Sequence, residues 1–275
     1  MTTSSLSLLR RWACAGAAVV ALGAAPGCIL YASPADDPND PAYGQPAGEE
    51  SVADFEEPLG AYGDWVDVPG RGRVWVPSEE AVGEDFTPYS SNGQWVSTDQ
   101  GWVFQSQQDA EWGWATYHYG RWYRDDTYGW AWVPDTVWGP AWVDWRYGGD
   151  YVGWAPMAPW GIVLAPGAYA FVETRYIASP GVAVYRVPAD RVGVVYHSTA
   201  ASGEIQVRGG VRYSMGPPAA HVAAAGVSVR PVHMAAPAGI RRNPAYGRAR
   251  ARARGMGRRG KPRAYPSRGG GGRRR

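Results

Sequence analysis

The 275-residue chain has only two cysteines, Cys14 and Cys28. Cys14 lies in an apolar N-terminal run, so one cysteine remains for everything after it and an internal disulfide framework is excluded. Four histidines, at 118, 197, 221 and 233, are scattered with no cysteine or carboxylate at ligand spacing, so no metal is expected. No cofactor is expected either, because the only glycine run, Gly269 to Gly272, sits in a tail and no nucleophile-elbow motif occurs. No apolar run is long enough to cross a bilayer as a helix, and no long stretch carries a helical period. Phenylalanine is scarce at four residues against fifteen tryptophans and seventeen tyrosines, so the aromatic character of this chain is indole and phenol.

Fourteen of the fifteen tryptophans fall between Trp65 and Trp160. They recur in units of strand, turn and strand. Gly63-Asp64-Trp65-Val66 is answered by Gly72 to Pro77, Gly93-Gln94-Trp95-Val96 by Gly101 to Phe104, and Gly120-Arg121-Trp122-Tyr123 by Gly129 to Pro134. The leading tryptophans at 65, 95 and 122 have the spacing of a repeated supersecondary unit.

Spacing inside each unit predicts the hairpin register. Trp95 is expected opposite Trp102 across Thr98-Asp99, and Trp145 opposite Trp154 across Gly149-Asp150. Trp122 is expected opposite Trp130 across Asp125, Asp126 and Thr127, and Trp65 opposite Trp75 across Pro69-Gly70-Arg71. All four loops hold turn-forming residues, and each cross-strand aromatic pair contributes roughly 0.2–1 kcal/mol. The fold class expected is all-β, with antiparallel Trp-rich hairpins forming a sheet or a barrel-like domain.

Met1 to Gly27 reads as a secretion signal, with Arg10 and Arg11 ahead of the apolar run Ala13 to Ala25. Ala25-Pro26-Gly27-Cys28 resembles a bacterial lipobox, which marks Cys28 for lipidation and implies a membrane anchor. An exported location in the cell envelope follows, with the outer membrane favoured and the domain facing periplasm or surface. Residues 28–57 are rich in Pro, Asp, Glu, Ala and Gly and read as a disordered linker. Residues 58–160 hold the hairpins. Residues 161–235 lose their indole but keep short β-branched runs, expected as strands at Gly161 to Leu164, Tyr169 to Val172, Val182 to Val187 and Val192 to Tyr196. Residues 236–275 read as a disordered Arg/Gly-rich tail.

The near-neutral formal charge of +2 hides a division. From Arg241 onward the chain has 13 arginines, Lys261 and no acid, whereas residues 28–240 hold all 25 acids against 11 basic residues. Such a tail binds polyanions through counterion release. Arg248, Arg250, Arg252, Arg254, Arg258, Arg259 and Lys261 are its candidate contacts. Peptidoglycan or another anionic envelope polysaccharide is the expected partner, other envelope proteins are possible partners, and nucleic acid is a partner only outside the cell or if the chain is not exported.

Trp112, Trp114, Trp122, Trp130, Trp132, Trp142 and Trp145 are candidates for stacking on sugar rings, since an indole face matches the apolar face of a pyranose. The competing reading makes them the core of a small sheet protein. A hydrolase reading would use Glu111 beside Trp112 and Asp144 beside Trp145 as acid and base, but nothing in the spacing singles them out, and no catalytic residue is assigned. The functions to be weighed are therefore a non-catalytic structural or glycan-binding envelope module, an envelope protein scaffold, and a polysaccharide hydrolase.

Trp112-Gly113-Trp114-Ala115-Thr116-Tyr117-His118-Tyr119-Gly120-Arg121-Trp122, with Tyr128 to Pro134, Trp138 to Val143 and Tyr151 to Pro156, resembles a family of uncharacterised Trp-rich exported bacterial envelope proteins. The likeness extends over roughly residues 60–215. It implies an envelope or secreted location and carries no activity or catalytic residue with it.

Overall fold

Trp65, Trp75, Trp132 and Trp122 stand in one row across four strands, each opposite the next. That row turns separate hairpins into a sheet. The computed structural model describes residues 50–159, 162–202, 205–208 and 210–256, all within one compact unit. The signal segment, Cys28, most of the 28–57 linker, and Arg258, Arg259 and Lys261 lie outside the described residues.

Among the described residues twelve strands run β1 (Gly63–Val68), β2 (Gly72–Pro77), β3 (Gly93–Thr98), β4 (Gly101–Ser106), β5 (Tyr119–Asp125), β6 (Gly129–Trp138), β7 (Val143–Gly148), β8 (Tyr151–Pro156), β9 (Ala170–Glu173), β10 (Ala200–Ala201), β11 (Ile205–Arg208) and β12 (Val211–Ser214). Two four-stranded sheets have the orders β1-β2-β6-β5 and β10-β7-β8-β9, and β3-β4 and β11-β12 are two-stranded. Pairing within the sheets is antiparallel. The antiparallel Trp-rich architecture is as expected, but the sheets are open and no barrel closes among the described residues.

Helices qualify the all-β expectation. They are α1 (Glu56–Leu59), α2 (Glu79–Val82), α3 (Trp114–Thr116), α4 (Ala189–Ser198), α5 (Ala219–Ala224) and α6 (Pro244–Gly255).

Two of the four registers are as read from spacing: Trp65 faces Trp75 and Trp145 faces Trp154. The other two are shifted by two residues. Trp95 faces Phe104 while Trp102 faces Ser97, and Trp122 faces Trp132 while Trp130 faces Arg124. A shift of two leaves every side chain on its own face, so the buried face survives although the partners change. The loops close on Gly101 (φ 110°) and Gly129 (φ 75°), a backbone region that an L side chain rarely adopts.

Beyond the hairpins the chain departs further from the expected strands. Val182 to Tyr185 forms a 3-10 turn, and Val192 to Tyr196 lies inside α4, which buries Val192 and Val195 one turn apart. A short apolar run fits either a strand or a buried helix face, and burial three residues apart selects the helix here. Among the described residues only Tyr169 to Val172 of the four expected strands has a counterpart, in β9; Ile162 to Leu164 form no strand, and Gly161 lies outside the described residues.

The main core is an indole-rich cluster reaching from the first sheet through β3-β4 to the second sheet. Phe55 and Leu59 are fully buried in it, with Phe55 5.2 Å from Trp132 between ring centroids. The folded body therefore begins several residues before the expected boundary at 58. Ser51 starts it with a reciprocal cap, accepting from Ala53 N–H while Asp54 accepts from Ser51 N–H. At the other end α6 overturns the expectation of continuous disorder from 236. Asn243 caps its start, Pro244 follows, and Ala245 and Ala249 are fully buried one turn apart. Alternating Arg and Ala gives this helix a small apolar face that composition alone conceals.

Candidate functional site

Six of the seven candidate stacking residues, Trp112, Trp114, Trp122, Trp132, Trp142 and Trp145, are at most 2% exposed, and Trp130 is half-buried. The expectation that these indoles form a sugar platform is thereby corrected. The physical reason is that their faces are occupied by one another and by neighbouring rings. Trp112 packs on Trp75 and Phe86, Trp114 on Phe55, and Trp145 on Trp95 at 4.4 Å. Arg121 covers Trp142, its guanidinium carbon 3.7 Å from the ring centroid.

Polar handles confirm the role. The indole N–H of Trp132 donates to Tyr119 O at 2.7 Å, Trp122 to Thr116 O at 2.8 Å, Trp142 to His118 O at 3.0 Å and Trp75 to Leu59 O at 3.2 Å. Those carbonyls belong to the ends of α1 and α3, the turn at His118 and the start of β5, so each of these four indoles fastens a connection as well as filling space.

The basic candidates divide into three groups. Arg250 and Arg254, one turn apart on α6, both reach Glu57, and Arg252 pairs with Glu111 at 2.7 Å. Arg248 is exposed and has no ion pair among the described residues. Arg258, Arg259 and Lys261 are not among the described residues. The hydrogen bond from Arg254 holds the Glu57 carboxyl below the usual carboxylate range; desolvation opposes it, and the hydrogen bond from Arg250 adds to the lowering. Three of the expected polyanion contacts thus engage the protein's own acids.

The hydrolase candidates do not come together. Glu111 is bound by Arg252, whereas Asp144 lies in a cleft of about 170 Å³ to which Glu111 contributes nothing. Among the described residues no three His, Cys, Asp or Glu side chains cluster as a metal site. His118 is a core histidine, stacked on Trp138 with Nδ1 3.2 Å from Gly139 O, and burial pushes its pKa down to about 4.

The cleft around Asp144 joins segments far apart in sequence. Asp144 and Arg146 point to the face of β7 opposite Trp145. Arg146 donates from Nε to Thr199 Oγ1 and from Nη2 to Tyr196 O and Thr199 O, while its guanidinium lies 3.9 Å from the Tyr196 ring centroid. Those bonds satisfy the end of α4 and hold it over the outer face of the second sheet, where Phe171, Val192 and Val195 form a separate small core. Past the edge of that core, Asp144, Met157, Tyr169 and Ser202 meet Arg212 and Tyr213 of the β11-β12 hairpin. Burial raises the Asp144 carboxyl above its ordinary value, and Arg121 opposes the shift. Burial first, then the charges of Asp144 and Tyr196, pushes Tyr169 up to about 12, so its hydroxyl stays neutral. Spacing singles out neither Tyr169 nor Arg212, because only the tertiary fold brings them to Asp144.

No helix among the described residues is long and apolar enough to cross a membrane. Neither a curated protein nor a solved structure matches the chain. Residues 56–161, from α1 through the last of the tryptophan hairpins, match the model of a family of unknown function (DUF6600).

Proposed function

We propose that this chain is a non-catalytic structural module of the bacterial cell envelope, tethered by a lipid on Cys28 and holding anionic polymer through the basic residues that follow α6. The observation that carries the reading is the burial of the hairpin tryptophans, with the N–H groups of Trp75, Trp122, Trp132 and Trp142 tied to backbone carbonyls. Indoles so placed make a rigid body rather than a ligand face. The acidic body and the basic end divide the work, since Glu57 and Glu111 take up Arg250, Arg252 and Arg254. Arg258, Arg259 and Lys261, with Arg248 on α6 itself, unpaired among the described residues, are the residues assigned to the polymer.

Co-sedimentation of the full chain with peptidoglycan sacculi tests this. Sedimentation at about 50 mM salt that is lost by about 500 mM, and lost in the Arg258→Gln/Arg259→Gln/Lys261→Gln variant, is the expected result. Equal sedimentation by the variant would remove the basic residues from the account. Release of Cys28→Ser protein from the membrane fraction tests the anchor.

A further inference from the structure

Two charges line the cleft without a direct hydrogen bond or ion pair among the described residues, although the charge of Arg121 acts on Asp144 from a distance. Asp144 and Arg212 both line it, yet among the described residues neither makes a hydrogen bond or an ion pair with a side chain of the protein, nor with the other. This contrasts with the other charges of the region. Arg146 is fixed by three hydrogen bonds, and Arg121 lies over Trp142 and donates to Gly120 O. A half-buried carboxylate with no donor aimed at it has lost water without replacement, which a ligand's donor corrects.

Aromatic and soft side chains line the same cleft as the two charges. Tyr169 is half-buried there, and Tyr213 is held in place by its ring contact with Trp142 and its hydroxyl on Gln100 O. Met157 also lines the cleft and adds a polarisable thioether. Tyrosine faces beside a carboxylate favour an ammonium group. Arg212 at the exposed margin presents the planar fork that takes a carboxylate or phosphate. One acid and one base leave the cleft close to neutral, which fits a zwitterion better than a polyanion or a simple cation. About 170 Å³ is below the volume of pockets for drug-sized ligands, so the guest is small.

We infer that the cleft between β7 and the β11-β12 hairpin binds a small zwitterion, with a primary ammonium group at Asp144 and an anionic group at Arg212. Two sources share that chemistry: an amino acid with free amino and carboxyl groups, and a phosphoethanolamine headgroup. The cleft combines residues inside the family match, such as Asp144 and Met157, with Tyr169, Arg212 and Tyr213 beyond it. Ligand choice is then a property of the C-terminal half of this chain.

Titration of the full chain with D-alanine and with O-phosphoethanolamine, followed by NMR or calorimetry, tests the inference. Saturable binding of one of them, with ethylamine and propionate each at least about tenfold weaker, is expected. Stronger binding of D-alanine would assign an amino acid source, and stronger binding of O-phosphoethanolamine a lipid headgroup source. Asp144→Asn is expected to weaken binding by about tenfold or more, and Arg212→Gln, on an exposed side chain, to weaken it without changing the melting temperature. Absence of saturable binding by either zwitterion at about 20 mM, or unchanged affinity in a folded Arg212→Gln protein, would overturn it.

Discussion

Trp75 stands directly opposite Trp132, and this pair joins β2 of the first hairpin to β6 of the third. On one side Trp65 extends the row and on the other Trp122 completes it. Four indoles at matching positions on four strands give two hairpins a shared register that no single hairpin would fix.

Trp132→Ala should therefore cost about 3–5 kcal/mol, the range for truncating a large buried aromatic side chain. Trp132→Phe should cost less but still about 1–3 kcal/mol, because Tyr119 O loses its donor inside the core. Urea denaturation measures both, and the half-buried Trp130, changed to Ala, should fall well below Trp132→Ala.

Two buried groups give stability opposite dependences on pH. Burial pushes the Asp109 carboxyl up to about 7, and Oδ1 has no protein donor. Its unfolded pKa is lower, so this group destabilises the fold increasingly as pH rises from about 4 to about 7, with the full cost remaining above that range. Asp109→Asn should gain about 1–2 kcal/mol over wild type at pH 8 and nothing at pH 4, a figure discounted because the residue keeps some water contact. His118, pushed down to about 4, works the other way: its contribution is intact above its ordinary value near 6.5 and is lost as pH falls through 4. Denaturation midpoints between pH 4 and 8 separate the two.

Arg146→Leu should loosen α4 rather than the hairpins. It removes the donors to Tyr196 O and Thr199 O, with an expected cost of about 1–3 kcal/mol. Lysine should restore little, since one ammonium does not reproduce the guanidinium fork. Hydrogen exchange should speed up across residues 189–202 and stay unchanged in β1 to β6.

The α6 clasp is expected to rest on packing more than on charge. Ala249→Glu, which forces a carboxylate against the core, should free residues 244–255 to rapid exchange. Glu57→Gln should cost no more than about 1 kcal/mol, as exposed ion pairs do. With its folded pKa depressed, Glu57 contributes its stabilisation above the ordinary carboxyl range and loses it as pH falls through the depressed value.

The hairpins were legible because tryptophan alternates with small residues and each loop carries turn chemistry. Register was legible only in part. Positions shifted by two share a face, so period alone does not distinguish Trp130 from Trp132 as the partner of Trp122, and the choice falls to where Gly129 takes its positive φ. The same ambiguity hid α4: Val192 to Tyr196 reads as β-branched strand, although Pro188 before it and Asp190 in its first turn are helix-start features. Asn243-Pro244 likewise announced α6 inside a segment whose composition argued for disorder. The cleft was not legible, since Asp144, Tyr169 and Arg212 meet only after two sheets and a hairpin have packed.

Hydrogen exchange of the indole N–H groups, followed by NMR on the full chain, tests most directly that the tryptophans form the body of the protein. Trp75, Trp122, Trp132 and Trp142, each bonded to a backbone carbonyl, should exchange only with unfolding, and addition of glycan should leave their resonances in place. Exchange of these four as fast as a free indole, or shifts in them on adding glycan, would contradict the account and return the tryptophans to the surface.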